Sequence, residues 1–281
     1  PTYLDDLHIG EIVEAIDKGF GLAAGGEMAL ESDPRTLTRE RAKVLNGMGF
    51  NRISFGVQDF ATPVQMKINR LQTFGLVKAA NEFLREAGFV SVNFDLMYGL
   101  PGQTVESVAK TAHQASDLAP DRISVFGYAH VPWFKKHQKM INDADLPGIN
   151  ARYDQATTIE RELNSLGYAS IGLDHFALEH DELTAAARKG TMRRNFQGYT
   201  TDVSDALLAF GASAIGEFPQ GFVQSARDTL EWSQRIDRNE SPVTRGLATT
   251  AEDRMRSEVI ERLMCDLSVD VSEIARRHGF D

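Results

Sequence analysis

A single cysteine, Cys265, stands among 281 residues. It excludes an internal disulfide and any site of several thiolates built from this chain alone, so no metal ligand set is expected here. Long hydrophobic runs are missing too: no stretch approaches the roughly 18 apolar residues of a membrane span. No charged-then-apolar leader opens the chain, and the expected location is the cytoplasm. Basic charge is in short supply, since 30 Lys and Arg against 40 Asp and Glu leave a formal charge of −10. That balance argues against a uniformly basic nucleic-acid surface, so neither nucleic acid nor membrane is expected as a partner. Neither G-x-G-x-x-G nor G-x-x-x-x-G-K-[ST] occurs, so the dinucleotide and nucleoside-triphosphate fingerprints are absent. Internal repeats and low-complexity tracts are lacking as well.

What is present is an ordinary core-forming composition, 42% hydrophobic and 25% charged. The length suits one large α/β domain, or a domain with an appendage. Short apolar runs recur at Glu27-Met28-Ala29-Leu30, Arg52 to Val57, Val92 to Met97, Arg122 to Phe126 and Ala169 to Leu173. Their starts lie 25, 40, 30 and 47 residues apart, which leaves room for a crossover helix each time. Helical spacing fills the gaps: Leu37, Ala42, Val44 and Leu45 before the second strand, and Leu76, Val77, Ala80, Phe83 and Leu84 before the third. Thr62-Pro63 reads as a cap and first-turn pair, Gly88 as a helix stop and Thr104 as a further cap. The pattern predicts an α/β fold of parallel strands covered by helices. After about residue 178 the rhythm changes. Residues 193–201 read as a loop, 226–236 and 250–265 as helices, and a domain edge is expected near 217–225.

Polar side chains interrupt the apolar runs at one end of each expected strand: Glu31, Gln58, Asp95, His130 and Asp174-His175. In a parallel α/β barrel these ends share one face, so the series predicts one polar cleft. The bland reading of any one of them is that strand ends are simply where chains leave the core. Asp95 sits among Val92, Phe94, Leu96 and Leu100, and a buried carboxylate needs a partner or a proton. Arg70 could be its counter-charge, a clamp for a ligand carboxylate, or a solvated surface arginine. Two basic clusters, Lys135-Lys136-His137-Gln138-Lys139 and Arg188-Lys189 with Arg193-Arg194, would suit a substrate with several carboxylates if either faces the cleft.

These residues carry a family resemblance. Glu31-Ser32-Asp33-Pro34-Arg35, Asn51 to Phe60, Asn93-Phe94-Asp95-Leu96-Met97-Tyr98-Gly99-Leu100-Pro101, Pro120 to His130, Gly172 to Ala177 and Arg194-Asn195-Phe196-Gln197-Gly198-Tyr199-Thr200-Thr201 occur in order along the chain. Together they resemble the oxygen-independent coproporphyrinogen III oxidases, radical S-adenosylmethionine (SAM) enzymes. The last stretch is the most specific of them. The resemblance implies an incomplete (β/α)6 barrel over residues 1–220, missing its first strand and cluster loop, and a mostly helical C-terminal domain over 221–281. It implies two SAM molecules: Glu31 and Ile215 would contact the one that ligates a [4Fe–4S] cluster, and Gln58, Arg70, Asp95 and Ala129 the other. The implied reaction is oxidative decarboxylation of two propionates of coproporphyrinogen III to vinyl groups, giving protoporphyrinogen IX, through a 5′-deoxyadenosyl radical. It implies an electron donor for the cluster, and a monomer is expected. The family holds its cluster on C-x-x-x-C-x-x-C, upstream of where this chain begins. The chain is therefore expected to be a fragment, inactive alone, with Cys265 a buried structural thiol. A haem-chaperone-like tetrapyrrole-binding protein of the same superfamily is the alternative, and an interaction module without SAM binding is a third reading.

Overall fold

The computed structural model describes residues 2–280. The chain separates into two compact units, one through Thr184 and one from Ala185.

The first unit runs α1 (Asp6–Phe20), β1 (Ala29–Ser32), α2 (Arg39–Gly47), β2 (Arg52–Gln58), α3 (Thr62–Lys67), α4 (Phe74–Ala87), β3 (Ser91–Tyr98), α5 (Val105–Asp117), β4 (Arg122–Gly127), α6 (Ile149–Ser165), β5 (Tyr168–Ile171) and β6 (His175–Leu178). The strands form one sheet in the order β1-β2-β3-β4-β6-β5, and β1 to β4 are parallel. Period-2 alternation divides the work of the two sheet faces. Ile53, Phe55, Val57, Val92, Phe94, Leu96, Ile123 and Val125 are buried in one continuous core together with Leu45, Val77, Leu84 and Ala112 from the helices. The residues between them, such as Ser54, Gly56, Asn93, Asp95 and Ser124, occupy the other face.

Local chemistry sets the helix ends. Thr73 caps α4 by accepting from Leu76 N, and Gly88 ends it in the left-handed region at φ 101°. Thr104 and Ser107 form a reciprocal capping box on α5. Thr62, expected as a cap, is instead the first residue of α3, and the cap position is Ala61 with no side-chain bond. The fifth expected run, 169–173, also departs from expectation. The strand ends at Ile171, the chain turns at Gly172 (φ 57°), and β6 returns antiparallel to both β5 and β4. β6 thereby lies between β4 and β5, so one neighbour in this otherwise parallel sheet is reversed.

α7 (Glu182–Lys189) leads into the second unit, which continues with β7 (Arg193–Asn195), β8 (Gly198–Thr200), β9 (Ile215–Phe218), β10 (Gly221–Ser225), α8 (Thr229–Asp237), β11 (Val243–Ala248), α9 (Ala251–Asp266) and α10 (Val271–Arg277). The segment expected as a loop, 193–201, is a two-stranded hairpin of β7 and β8. Its turn is set by Asn195, whose Oδ1 accepts from Gln197 N at 2.9 Å and Gly198 N at 3.2 Å. β9, β10 and β11 form an antiparallel sheet, and the sequence-derived edge near 217–225 falls within it. A cleft of about 540 Å³ lies in this unit, with Arg193, Arg194, Arg254 and Arg262 among its lining. Arg193 pairs with Glu261 at 3.5 Å and Arg262 with Asp266 at 2.9 Å, so much of that positive charge is cancelled locally. Among the described residues no helix is long and apolar enough to cross a membrane.

Candidate active site

Register aligns the polar face. Glu31 of β1 stands beside Ser54 of β2, and Ser54 beside Asn93 of β3. One step along, Gly56 pairs with Asp95, Asp95 with Ser124 of β4, and Ser124 with His175 of β6. Asp95 is held there by neutral donors. Asn93 Nδ2 donates to its Oδ1 at 2.8 Å and Ser54 Oγ to its Oδ2 at 3.2 Å, while Ser124 Oγ donates to Asn93 Oδ1 at 3.3 Å. Burial pushes the Asp95 carboxyl above its ordinary range, more than these hydrogen bonds pull it down. Glu31 is pushed up as well, by lost hydration and then by the negative charge of Asp95. Two carboxylates near one another on a strand face, each resisting ionisation, suit a ligand that brings hydroxyls or an ammonium group.

Arg70 lies between α3 and α4. Asp33 is its ion-pair partner at 3.7 Å, and its Nη2 donates to Gly56 O at 2.8 Å. Asp95 is therefore not the carboxylate that holds it, contrary to one of the sequence readings. Asp33 itself is bound more closely by Arg35, at 2.6 Å, which is the main cause of its lowered pKa. Burial lowers the Arg70 pKa, and Arg70 Nε is enclosed with no hydrogen-bond partner among the described residues. Gln58 ends β2 with its backbone in the left-handed region, at φ 67°. A methyl group on Gly56 would lie 2.8 Å from Gln58 Nε2 and 2.9 Å from Arg70 Nη2. The Gln58 and Arg70 side chains thus converge over one glycine, whose strand neighbour is Asp95.

Ala129 follows β4 by two residues, and its carbonyl accepts from Gln138 Nε2 at 3.1 Å. His130 is tied to Tyr128 Oη at 3.1 Å and Asp143 at 2.9 Å, and His175 Nδ1 lies 2.7 Å from Asp174. Ile215 belongs to the second unit, where it opens β9 opposite Gln224. Five of the six expected site residues (Glu31, Gln58, Arg70, Asp95 and Ala129) thus lie in the first unit. Ser54, Asn93 and Ser124 went unremarked in the sequence, although strand alternation places them on the same face as Asp95. The first basic cluster keeps Lys135, Lys136 and Lys139 exposed, while in the second Arg194 lies over the Tyr199 ring at 5.8 Å.

The polar face lies on the parallel strands of an α/β sheet, and the Radical SAM superfamily model matches residues 1–115, so that part of the chain is similar to radical SAM proteins. Over its whole length the chain is similar to proteins named oxygen-independent coproporphyrinogen III oxidase. It is 47% identical to the enzyme of that name from Bradyrhizobium diazoefficiens, over 99% of this chain and 62% of the relative. It is 41% identical to the one from Paracoccus denitrificans, over 100% of this chain and 62% of the relative. The solved structure of coproporphyrinogen III oxidase from Escherichia coli, described as a radical SAM enzyme, superimposes with a TM-score of 0.95 at 40% identity. That match covers 100% of this chain and 64% of the other. The chain therefore spans less than two thirds of the length of these relatives.

The class implies SAM and a [4Fe–4S] cluster. The polar groups of the first unit suit SAM: Arg70 Nε is enclosed without a hydrogen-bond partner among the described residues, and Asp95, the strand neighbour of Gly56, offers a carboxyl group to hydroxyls or an ammonium group. The cluster does not fit the residues of this chain. Cys265, its one thiol, is buried in α9 with its pKa pushed up to about 11, chiefly by desolvation. Among the described residues no group of three or more His, Cys, Asp and Glu side chains could hold a metal.

Proposed function

We propose that the protein to which this chain belongs converts coproporphyrinogen III to protoporphyrinogen IX without oxygen, by oxidative decarboxylation of two propionates. Two SAM molecules serve the reaction, with Glu31 at one and Gln58, Arg70, Asp95 and Ala129 at the other. Bound SAM would supply a 5′-deoxyadenosyl radical for abstraction of a propionate β-hydrogen, given one electron from a [4Fe–4S] cluster held by residues outside this chain. The chain's own residues bind and orient. Arg70 offers Nε to a methionyl carboxylate, while Asp95 and Glu31 accept from hydroxyls or an ammonium group. Asn93, Ser54 and Ser124 fix the direction in which Asp95 accepts. The protein works as a cytoplasmic monomer with a separate electron donor and no nucleic-acid or membrane partner.

The observation that carries the reading is the convergence of Gln58 and Arg70 over Gly56 beside Asp95. In the full-length protein, Arg70→Ala and Asp95→Ala should each lower turnover by roughly 10- to 100-fold, the scale of losing a charge-assisted contact. SAM stoichiometry should fall from two to one. Two SAM bound with unchanged turnover in both variants removes these residues from the site.

A further inference from the structure

β2 does not end as a regular strand. Its register to β3 runs Gly56↔Asp95 and then Gln58↔Leu96, so Val57 is an extra residue, a β-bulge. A bulge leaves carbonyls outside the ladder, and buried carbonyls need donors. Gln72 supplies them. Its Nε2 donates to Gly56 O at 3.1 Å and also to Val57 O. With two carbonyl oxygens facing it, this end of the Gln72 amide must be the nitrogen.

Gln72 is in turn clamped by Gln65. Gln65 Nε2 donates to Gln72 O and to Asp59 O, each at 2.7 Å, and Gln65 Oε1 accepts from Gln72 N at 3.1 Å. Both side chains are buried. Arg70 lies inside this loop, with its backbone N donating to Gln65 O at 2.9 Å and its guanidinium to Gly56 O, the same carbonyl that Gln72 holds. Gly56 O thus accepts from two side chains, Gln72 and Arg70.

We infer that Gln72, backed by Gln65, is a positioning residue for SAM binding at the Gln58–Arg70 site, acting through the bulged carbonyls of Gly56 and Val57. The inference rests on the function proposed above. Gln72 fixes the direction of Gly56 O, and Gly56 O fixes the Arg70 guanidinium so that Nε stays free for a carboxylate. The left-handed turn at Gln58 is held from the same point, which directs that side chain back over Gly56. Gly56 is required for the same reason, because a Cβ there would displace both side-chain ends.

The test uses the full-length protein with four variants, Gln72→Met, Gly56→Ala, Arg70→Ala and Asp95→Ala. Equilibrium dialysis with SAM measures affinity and stoichiometry, turnover gives KM for SAM against kcat, and thermal unfolding gives stability. Gln72→Met should weaken the second SAM by roughly tenfold, the scale of unsettling one charge-assisted bond. KM for SAM should rise more than kcat falls. Gly56→Ala should give the same binding defect while every Gln72 donor remains, so it decides the matter if Gln72→Met does not fold. Normal binding in Gly56→Ala, or in a folded Gln72→Met, while Arg70→Ala and Asp95→Ala lose the second SAM, overturns the positioning role and leaves the proposed function standing. Normal binding in Arg70→Ala and Asp95→Ala as well overturns both.

Discussion

In the first unit Ile53, Phe55, Phe94 and Ile123 have no exposed surface, whereas in the second Leu230, Ile260 and Leu263 stand open to solvent at 66, 59 and 49%. The buried apolar residues of the second unit are few and scattered, among them Met192, Ala226, Cys265 and Ile274. Its ion pairs include exposed ones one helical turn apart, such as Arg256 with Glu252 and Arg277 with Glu273. The first unit also holds an ion pair in its interior, Arg122 with Asp181, at 3% and 5% exposure. The difference teaches where a fixed site can be built. Each strand that offers Ser54, Asn93 or Asp95 on one face presses Phe55, Phe94 or Leu96 into a close-packed layer on the other. The polar face inherits its rigidity from that packing, one residue away along the chain.

The largest test of this contrast removes an aromatic ring. Phe94→Ala should cost about 3–5 kcal/mol of unfolding free energy in urea titrations, from lost burial plus the cavity left against Phe55, whose ring centroid is 6.2 Å away. Ile260→Ala in the second unit should cost no more than about 0.5 kcal/mol. Equal losses would break the comparison.

Next in size is the charge pair. Arg122→Met strands Asp181 in the interior and should destabilise by about 3–5 kcal/mol. Arg256→Met, on a fully exposed pair, should leave stability indistinguishable from the parent. Thermal unfolding of the two variants side by side reads the difference.

The smallest effect sharpens the contrast with pH. The Asp95 carboxyl is raised above 3.8 in the folded protein, chiefly by burial, so between 3.8 and that higher value the native state holds more protons than the unfolded one. Stability therefore falls as pH rises through this window. Asp95→Asn removes the term. The variant should be more stable than the parent above the window and gain nothing below pH 3.8, even as SAM binding weakens. Parallel stability curves for parent and variant across pH would show that Asp95 does not titrate there.

Much of the first unit was legible because its signals are periodic. The strand runs at 52–57, 92–97 and 122–126 lie inside β2, β3 and β4, and the polar breaks at Glu31, Gln58 and Asp95 sit on or at the ends of strands. Asp33 was passed over as the partner of Arg70 because the choice between two carboxylates depends on a three-dimensional approach of 3.7 Å. Gln65 and Gln72 carry no charge and no period, so nothing along the chain marks them as buried. β6 was hidden because four residues are too few to show alternation, and Gly172-Leu173-Asp174 reads equally as the end of a longer strand. The β7–β8 hairpin escaped for a similar reason, since its turn depends on an Asn195 side chain rather than on flanking apolar runs.

The place of β6 between β4 and β5 also governs how the sheet can be assembled. β5 comes earlier in the chain, yet its ladder is made with β6 alone, in pairs from Tyr168↔Leu178 to Ile171↔His175. During synthesis from the N-terminus, β1 to β4 can zip in order as each emerges, but β5 has no berth when it appears. It must wait for about seven more residues, fold back as a hairpin, and dock together with β6 as one piece. The far edge of the sheet is therefore added in a single cooperative event, and in native-state hydrogen exchange the amides of Ala169 to Ile171 should open with those of β6 rather than with β4.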